Sequence, residues 1–197
     1  MLPPESKTVS GTKFASKFTE CCGLAFVKYM NTVKSFIAIF GVIAAFAFGI
    51  SAQTSLTALD GTKVDVQGQK GKVVILAIGA RWLPLSSEQA NETNAIAKKY
   101  AGRNVAVYFV TTDSITPNSK NFASNEDIKK FVGTSKITVP VLRDPDGAAT
   151  LSKFGVDQLP SFVILDKNGK QVGEAIGGSD PKYDITIPIS KVVDGQL

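Results

Sequence analysis

The chain has 197 residues, 44% apolar and 20% charged, which suits one globular domain with a leader or tail and excludes wholesale disorder. Of its net charge of +5, a balance of +3 lies before residue 53, where Lys7, Lys13, Lys17, Lys28 and Lys34 face Glu5 and Glu20. The body has no basic stripe interleaved with aromatics, so nucleic acid is excluded as a partner.

Residues 1–52 read as a leader. Phe36 to Ile50 is an unbroken run of apolar residues and glycine, and no charge occurs between Lys34 and Asp60. A membrane span needs about 20 such residues, so the run fits the apolar region of a secretory signal better. Cleavage after Ala52, leaving Gln53 first, is the expected processing. An uncleaved signal-anchor is the competing reading, and membrane contact then runs through the leader alone. Met30-Asn31-Thr32-Val33-Lys34 would itself open a signal peptide, so Met30 is the expected start and residues 1–29 upstream read-through. On both readings the body is exported, to the periplasm or another extracytoplasmic space. Cys21 and Cys22, the only cysteines, lie upstream of the apolar run. Adjacent cysteines are strained as a disulfide, and these read as ordinary leader residues, with reversible acylation the alternative.

The body, 53–197, is expected to open with a hairpin over Leu56 to Val66, turning at Asp60-Gly61. Gly68 to Lys72 is a polar connector into an apolar strand, Val73 to Gly79. A loop, Ala80-Arg81-Trp82-Leu83-Pro84-Leu85-Ser86, then leads to a helix from Ser87 to Tyr100, with Gly102 as its stop and Ser86 or Ser87 as its N-cap. Val105 to Val110 is a second buried strand, parallel to the first across the helix. Thr111 to Asn125 reads as a polar surface loop, and Asn125-Glu126-Asp127 as the cap of a helix through Val132. Val139 to Leu142 is a short extended piece. Asp144 to Gly147 is a turn, and Ala148 to Phe154 a short helix stopped by Gly155. Ser161 to Asp166 and Gln171 to Ile176 form a hairpin over Lys167-Asn168-Gly169. From Asp184 the tail is apolar-periodic, but Pro188 argues against a single straight helix.

Taken in this order, several segments carry a resemblance. They are the Asp60-Gly61 hairpin, Lys70-Gly71-Lys72-Val73-Val74, Ala80-Arg81-Trp82, Pro140 to Gly147, Phe154-Gly155-Val156 and Leu159 to Asp166. Together they resemble the TlpA-like branch of the thioredoxin-like superfamily, close to the AhpC/TSA redoxin group, over roughly Leu56 to Ile176. The resemblance implies an α/β thioredoxin-like fold, a central mixed β-sheet flanked by helices, with an N-terminal β-hairpin. It also implies a cis Leu159–Pro160 bond, with Pro160 next to Trp82 and Leu83.

The departures from that family's pattern carry the functional argument. By resemblance, Leu83 and Ser86 stand where the two cysteines of Trp-Cys-x-x-Cys would be. Disulfide exchange needs an attacking thiolate and a second sulfur, and neither side chain supplies one. Aligning Glu88 with the glutamate of a peroxidatic Cys-x-x-Glu puts Leu85 at the cysteine, so that register recovers no thiol either. Serine catalysis at Ser86 would need a base, and the chain has no histidine. No catalytic residue is therefore assigned. Asp144-x-Asp146-Gly147 lacks the remaining ligands of a calcium loop and reads as a turn, so no metal and no cofactor are expected. The leading expectation is a non-catalytic groove formed by Arg81, Trp82, Leu83, Pro84, Leu85, Ser86, Leu159 and Pro160, which takes a peptide or protein partner. Trp82 either packs on the Pro160 loop or touches the ligand. Two alternatives stand beside this: an oxidoreductase, thiol-disulfide or peroxiredoxin-like, as in the family, and a drifting paralogue with no retained activity.

Overall fold

The computed structural model describes residues 53–178 and 182–197; the expected leader and its two cysteines lie outside them. Among the described residues no helix is long and apolar enough to cross a membrane.

Seven strands form one mixed sheet. In chain order they are β1 (Ser55–Ala58), β2 (Lys63–Asp65), β3 (Val73–Gly79), β4 (Val105–Thr111), β5 (Val141–Arg143), β6 (Ser161–Leu165) and β7 (Ile176–Gly177). Their spatial order is β2-β1-β5-β4-β3-β6-β7. The helices are α1 (Ser86–Lys99), α2 (Asn125–Thr134) and α3 (Thr186–Asp194). β3 pairs parallel with β4 across α1, and β4 parallel with β5 across α2, while β6 runs antiparallel to β3. The expected mixed sheet, N-terminal hairpin and parallel pair are all present.

Every residue of β3 is buried because both of its faces are covered. Alternation sends Val73, Ile75 and Ala77 into one cluster with Ile96, Ile128, Ile189 and Val193, so all three helices contribute to that side. Val74, Leu76 and Ile78 face the other cluster, with Leu56 and Val66 of the hairpin and Phe154. A strand covered on both faces has no polar side to advertise, which is why it reads as a continuous apolar run.

Several expectations need correction. α3 is a single helix despite Pro188, because this proline is its third residue, where a backbone N–H has no intrahelical acceptor to lose. Ala148 to Phe154 is not a helix. After a 3-10 turn at Pro145–Gly147 the chain closes separate turns, and the Asp144 carboxylate takes the N–H groups of Ala149 and Thr150 at 2.9 Å each. The return strand after Asn168-Gly169 is broken, since Gly173 has φ +70° and only Ile176–Gly177 re-pair with β6, apart from a lone bridge at Gln171. α2 is capped by Ser124 rather than by Asn125-Glu126-Asp127. The Ser124 hydroxyl accepts from the Asp127 N–H at 3.1 Å, and the Asp127 carboxylate accepts from the Ser124 N–H at 3.1 Å. The stretch from Thr111 to Asn125 is a surface loop only at its tip: Thr112, Asp113 and Ser114 are buried, and Ser114 bridges to Phe122.

Candidate functional site

The loop after β3 is a tight one. The Leu83 N–H donates to the Ala80 carbonyl at 3.2 Å, and the Ser86 N–H donates to the Leu83 carbonyl at 3.2 Å. The Ser86 hydroxyl also donates to the Ala80 carbonyl, so that side chain turns inward and is only 1% exposed. This corrects the expected cap. The N-cap position is Leu85, with no side-chain cap bond, and Ser86 is the first residue of α1. The Ser86 hydroxyl proton is thus directed at a backbone carbonyl, and the chain has no imidazole to take it. Leu83 and Leu85 are half-buried, Pro84 is exposed, and Trp82 is 49% exposed.

The Leu159–Pro160 bond is cis, as expected. The register pairs Ser161 with Ile78, two residues before Ala80, so the proline loop stands beside the start of the 80–85 loop. Two polar bonds fix its shape: the Ser161 hydroxyl donates to the Gln158 carbonyl at 2.7 Å, and the Gly178 N–H to the Pro160 carbonyl at 3.0 Å.

Gln89, which sequence reasoning missed, joins the two loops. It is wholly buried in the first turns of α1, and its amide nitrogen donates to the carbonyls of Ile78 at 3.0 Å and Ser161 at 3.2 Å. One side chain therefore holds the end of β3, the start of β6 and α1 together. The arrangement requires Gly79, because a Cβ there would lie 2.2 Å from the Gln89 Oε1. The available signal was positional: Gln89 and Thr93 fall on the same helical face as Ala90, Ile96 and Tyr100.

Arg81 ties the same loop to the segment after β4. Its backbone N–H donates to the Asp113 Oδ2 at 2.9 Å, and its guanidinium Nε lies 3.7 Å from Oδ1 of the same carboxylate. Its Nη2 donates to the Phe122 carbonyl at 3.1 Å. Asp113 is fully buried and accepts the Thr111 hydroxyl as well. Arg143 supports this segment from beneath, donating to the carbonyls of Ala123 at 2.9 Å and Asp113 at 3.3 Å, and to the Asn125 Oδ1 at 2.8 Å. Burial pushes the Arg143 guanidinium below its usual pKa, and Asp113 works against that. The Ser124 hydroxyl and N–H hold the Asp127 carboxyl below the ordinary carboxylate range, with a smaller attraction from Arg81.

Loop connectivity and the β3–β6 register bring the sequence-nominated residues to the C-terminal end of β3, with Arg81 turned partly inward as a brace. The Ile115 side chain, 57% exposed, extends the apolar character of this end from the tip of the 112–124 segment. An open depression of about 910 Å³ between 152–158 and 171–175 adjoins the proline loop through Gln158 but leaves Trp82 outside, so concavity and exposed aromatic do not coincide. Among the described residues no three Cys, His, Asp or Glu side chains converge as metal ligands.

Comparison with known proteins supports the family and the fold. The Redoxin family profile matches residues 47–187. The chain is 26% identical over 137 residues to the thiol-disulfide oxidoreductase ResA of Bacillus thuringiensis subsp. konkukian, covering 70% of this chain and 73% of that one. It is also similar to the pneumococcal exposed lipoprotein thioredoxin Etrx1 of Streptococcus pneumoniae. That match has a TM-score of 0.56 and 29% identity, over 71% of this chain and 99% of the other. A putative thiol:disulfide interchange protein DsbE from Chlorobium tepidum shares the fold, with a TM-score of 0.59 and 23% identity over 73% of this chain and 94% of its own.

Proposed function

The chain belongs to the Redoxin family, and from that premise we propose that it is an exported, non-catalytic redoxin whose groove binds an extended apolar segment of a partner protein. The observation that carries this reading is the pair Leu83 and Ser86. In the loop after β3, one is an aliphatic side chain and the other is a hydroxyl folded back onto Ala80. Cysteine occurs only at positions 21 and 22, so no thiol in 53–197 can start or resolve a mixed disulfide. What the loop offers a partner is contact: Trp82 and Pro84 exposed, Leu83, Leu85 and Leu159 half-buried. Amphipathic aromatic and aliphatic groups beside a sheet end suit an extended peptide, which adds backbone hydrogen bonds to apolar pockets. Export is supported by the uncharged run Phe36–Ile50 and by the exposed, lipid-linked character that the name of the pneumococcal relative states. The leader is taken as 1–52 and the binding domain as 53–197.

The competing reading is thiol-disulfide oxidoreductase activity, which the ResA name favours. Insulin reduction and peroxide consumption by the purified protein separate the two. Turnover matching a dithiol thioredoxin would sink the binding reading. The placement of the groove is tested by Leu83→Cys/Ser86→Cys in a Cys21→Ser/Cys22→Ser background. That variant is expected to form a disulfide and gain reductase activity. Two free thiols that stay apart under oxidation would show the site to be misplaced.

A further inference from the structure

Arg81 is the one charged side chain among the groove residues, and the fold uses only part of it. Its backbone N–H is fixed on the Asp113 Oδ2 and its Nη2 donates to the Phe122 carbonyl, so two bonds set where the guanidinium lies. Its Nε stands 3.7 Å from the Asp113 Oδ1, beyond hydrogen-bond reach, and neither atom has a hydrogen-bond partner among the described residues. Nη1 has no acceptor among them either, and the side chain is 36% exposed. The charges around this cation leave it short of an anion. Asp113 is wholly buried, and the buried Arg143 bears on it as well: the Arg143 Nη2 donates to the Asp113 carbonyl, while its Nε is without a partner. One carboxylate thus answers two guanidiniums. Asp127, the second carboxylate that attracts Arg81, is occupied by the Ser124 N–H and hydroxyl and is drawn to Lys130 too. Of the other charges on these elements, Lys120 and Lys129 offset Glu88 and Glu126, all four exposed. A residual positive charge stays with the Arg81 fork.

We propose that Arg81 is the anion contact of the groove: it pairs with an Asp or Glu side chain of the partner's extended segment, within two residues of the apolar side chain that seats on Trp82. This deepens the binding reading and rests on it. Arg81 and Trp82 are consecutive, and two residues of an extended chain span about 7 Å, so one segment reaches both. Asp113 and Phe122 already hold the guanidinium in place, so little side-chain freedom is lost when it meets a carboxylate. That carboxylate also supplies the second anion that Arg81 and Arg143 lack. Because the remaining groove side chains carry no charge, this pair sets which apolar segments fit.

The test screens acetylated and amidated decapeptides of random sequence against the full-length protein. Retained sequences are expected to carry Asp or Glu within two residues of a shared apolar position, and to shift the emission of Trp82, the sole tryptophan. For one such peptide, replacing the acid by its amide should weaken binding roughly five-fold at low salt. That difference should shrink as salt is added and vanish against Arg81→Gln. If Arg81→Gln does not fold, the wild-type protein decides alone: the acidic peptide must bind more tightly than its amide form, and the amide form more tightly than a lysine form. Equal binding of acid and amide, a difference that survives in Arg81→Gln, or retained sequences without an acidic position overturns the assignment and leaves the apolar groove standing. So does a preference seen only in a parallel library with free C-termini, which would make the chain-end carboxylate the anion. Peptides that bind without moving Trp82 emission overturn it as well. A library that yields no binder overturns the groove reading and this one with it.

Discussion

The sharpest prediction concerns Gln89. Its amide nitrogen makes two buried hydrogen bonds, to Ile78 and Ser161, and its oxygen faces the Gly79 backbone without a partner. Gln89→Leu removes both bonds and leaves two buried carbonyls short of a donor. At about 1 kcal/mol net per bond, plus partial desolvation of the carbonyls, the loss should be about 2–4 kcal/mol. Gln89→Glu is the more telling change, because a carboxylate there meets two carbonyl oxygens at 3.0 and 3.2 Å and can donate only when protonated. Burial and those dipoles raise its folded pKa above an unfolded value of about 4.3. A raised folded pKa means that stability is kept below the unfolded value and lost as pH rises through the folded one. Each unit of that shift is worth about 1.4 kcal/mol. Urea unfolding between about pH 4.5 and pH 8 should show the gap between wild type and Gln89→Glu widening with pH, while the Gln89→Leu gap stays constant. A pH-independent Gln89→Glu deficit, or a Gln89→Leu loss under about 1 kcal/mol, would refute the bridging role.

Other expectations follow from the same contacts. Gly79→Ala puts a Cβ 2.2 Å from the Gln89 oxygen, so the amide must shift at the expense of its two donated bonds, and the change should cost about 1–3 kcal/mol. Combined with Gln89→Leu it should cost less than the sum, measured by chemical unfolding of the full double-mutant cycle. Asp113→Ala strips the Arg81 backbone and the Thr111 hydroxyl of their acceptor. Because Arg81 is 36% exposed, the loss should be about 2–3 kcal/mol, below that of a fully buried pair, with a shift in Trp82 emission as the loop loosens. Ser124→Ala removes the α2 cap and should cost about 1 kcal/mol in thermal unfolding. Asp60, Asp127, Asp166 and Asp184 all have lowered carboxyl pKa values, chiefly from hydrogen bonds to nearby backbone N–H groups and hydroxyls. Their contribution is present above an unfolded pKa of about 3.9 and is lost as pH falls through the folded values. Acid unfolding should therefore flatten when Asp127 is changed to Asn.

The sheet was legible because its strands declare themselves by composition. β3 and β6 are apolar on both faces, and turns such as Asp60-Gly61 and Asn168-Gly169 have strong local chemistry. The cis-proline and the 80–85 loop were legible through resemblance, which orders weak motifs into a strong set. What stayed hidden were contacts whose partners are distant in sequence. Gln89 meets Ser161 across 72 residues and Arg81 meets Asp113 across 32; helical position marks Gln89 as inward-facing, but nothing local names either partner. Ser86 was misread for a related reason. Its local pattern suits an N-cap, but the Ala80 carbonyl, brought close by the tight loop, takes its hydroxyl proton instead. Pro188 misled in the opposite direction, because its effect depends on whether it falls in the first turn, and helix ends are the least readable feature of a sequence.

If the 80–85 loop is a redoxin site without its sulfur, as proposed, it would lose its shape only if sulfur were what held that shape. Here the shape rests on other bonds. Ser86 and Leu83 both close on Ala80, Gln89 fastens the proline loop to β3, and Arg81 anchors the loop's start to a buried carboxylate. None of these contacts involves position 83 or 86 as a redox group. The support for the 80–85 loop is thus separable from the side chains at 83 and 86, and each can be altered alone. Leu83→Cys/Ser86→Cys changes the reagent and sacrifices only the Ser86–Ala80 bond, whereas Gln89→Leu changes the frame and leaves the exposed surface of Trp82 and Pro84 as it was. If binding of a partner depends on the frame, Gln89→Leu weakens it and the double cysteine variant in its reduced form does not. The opposite pattern would place recognition in the 83 and 86 side chains themselves.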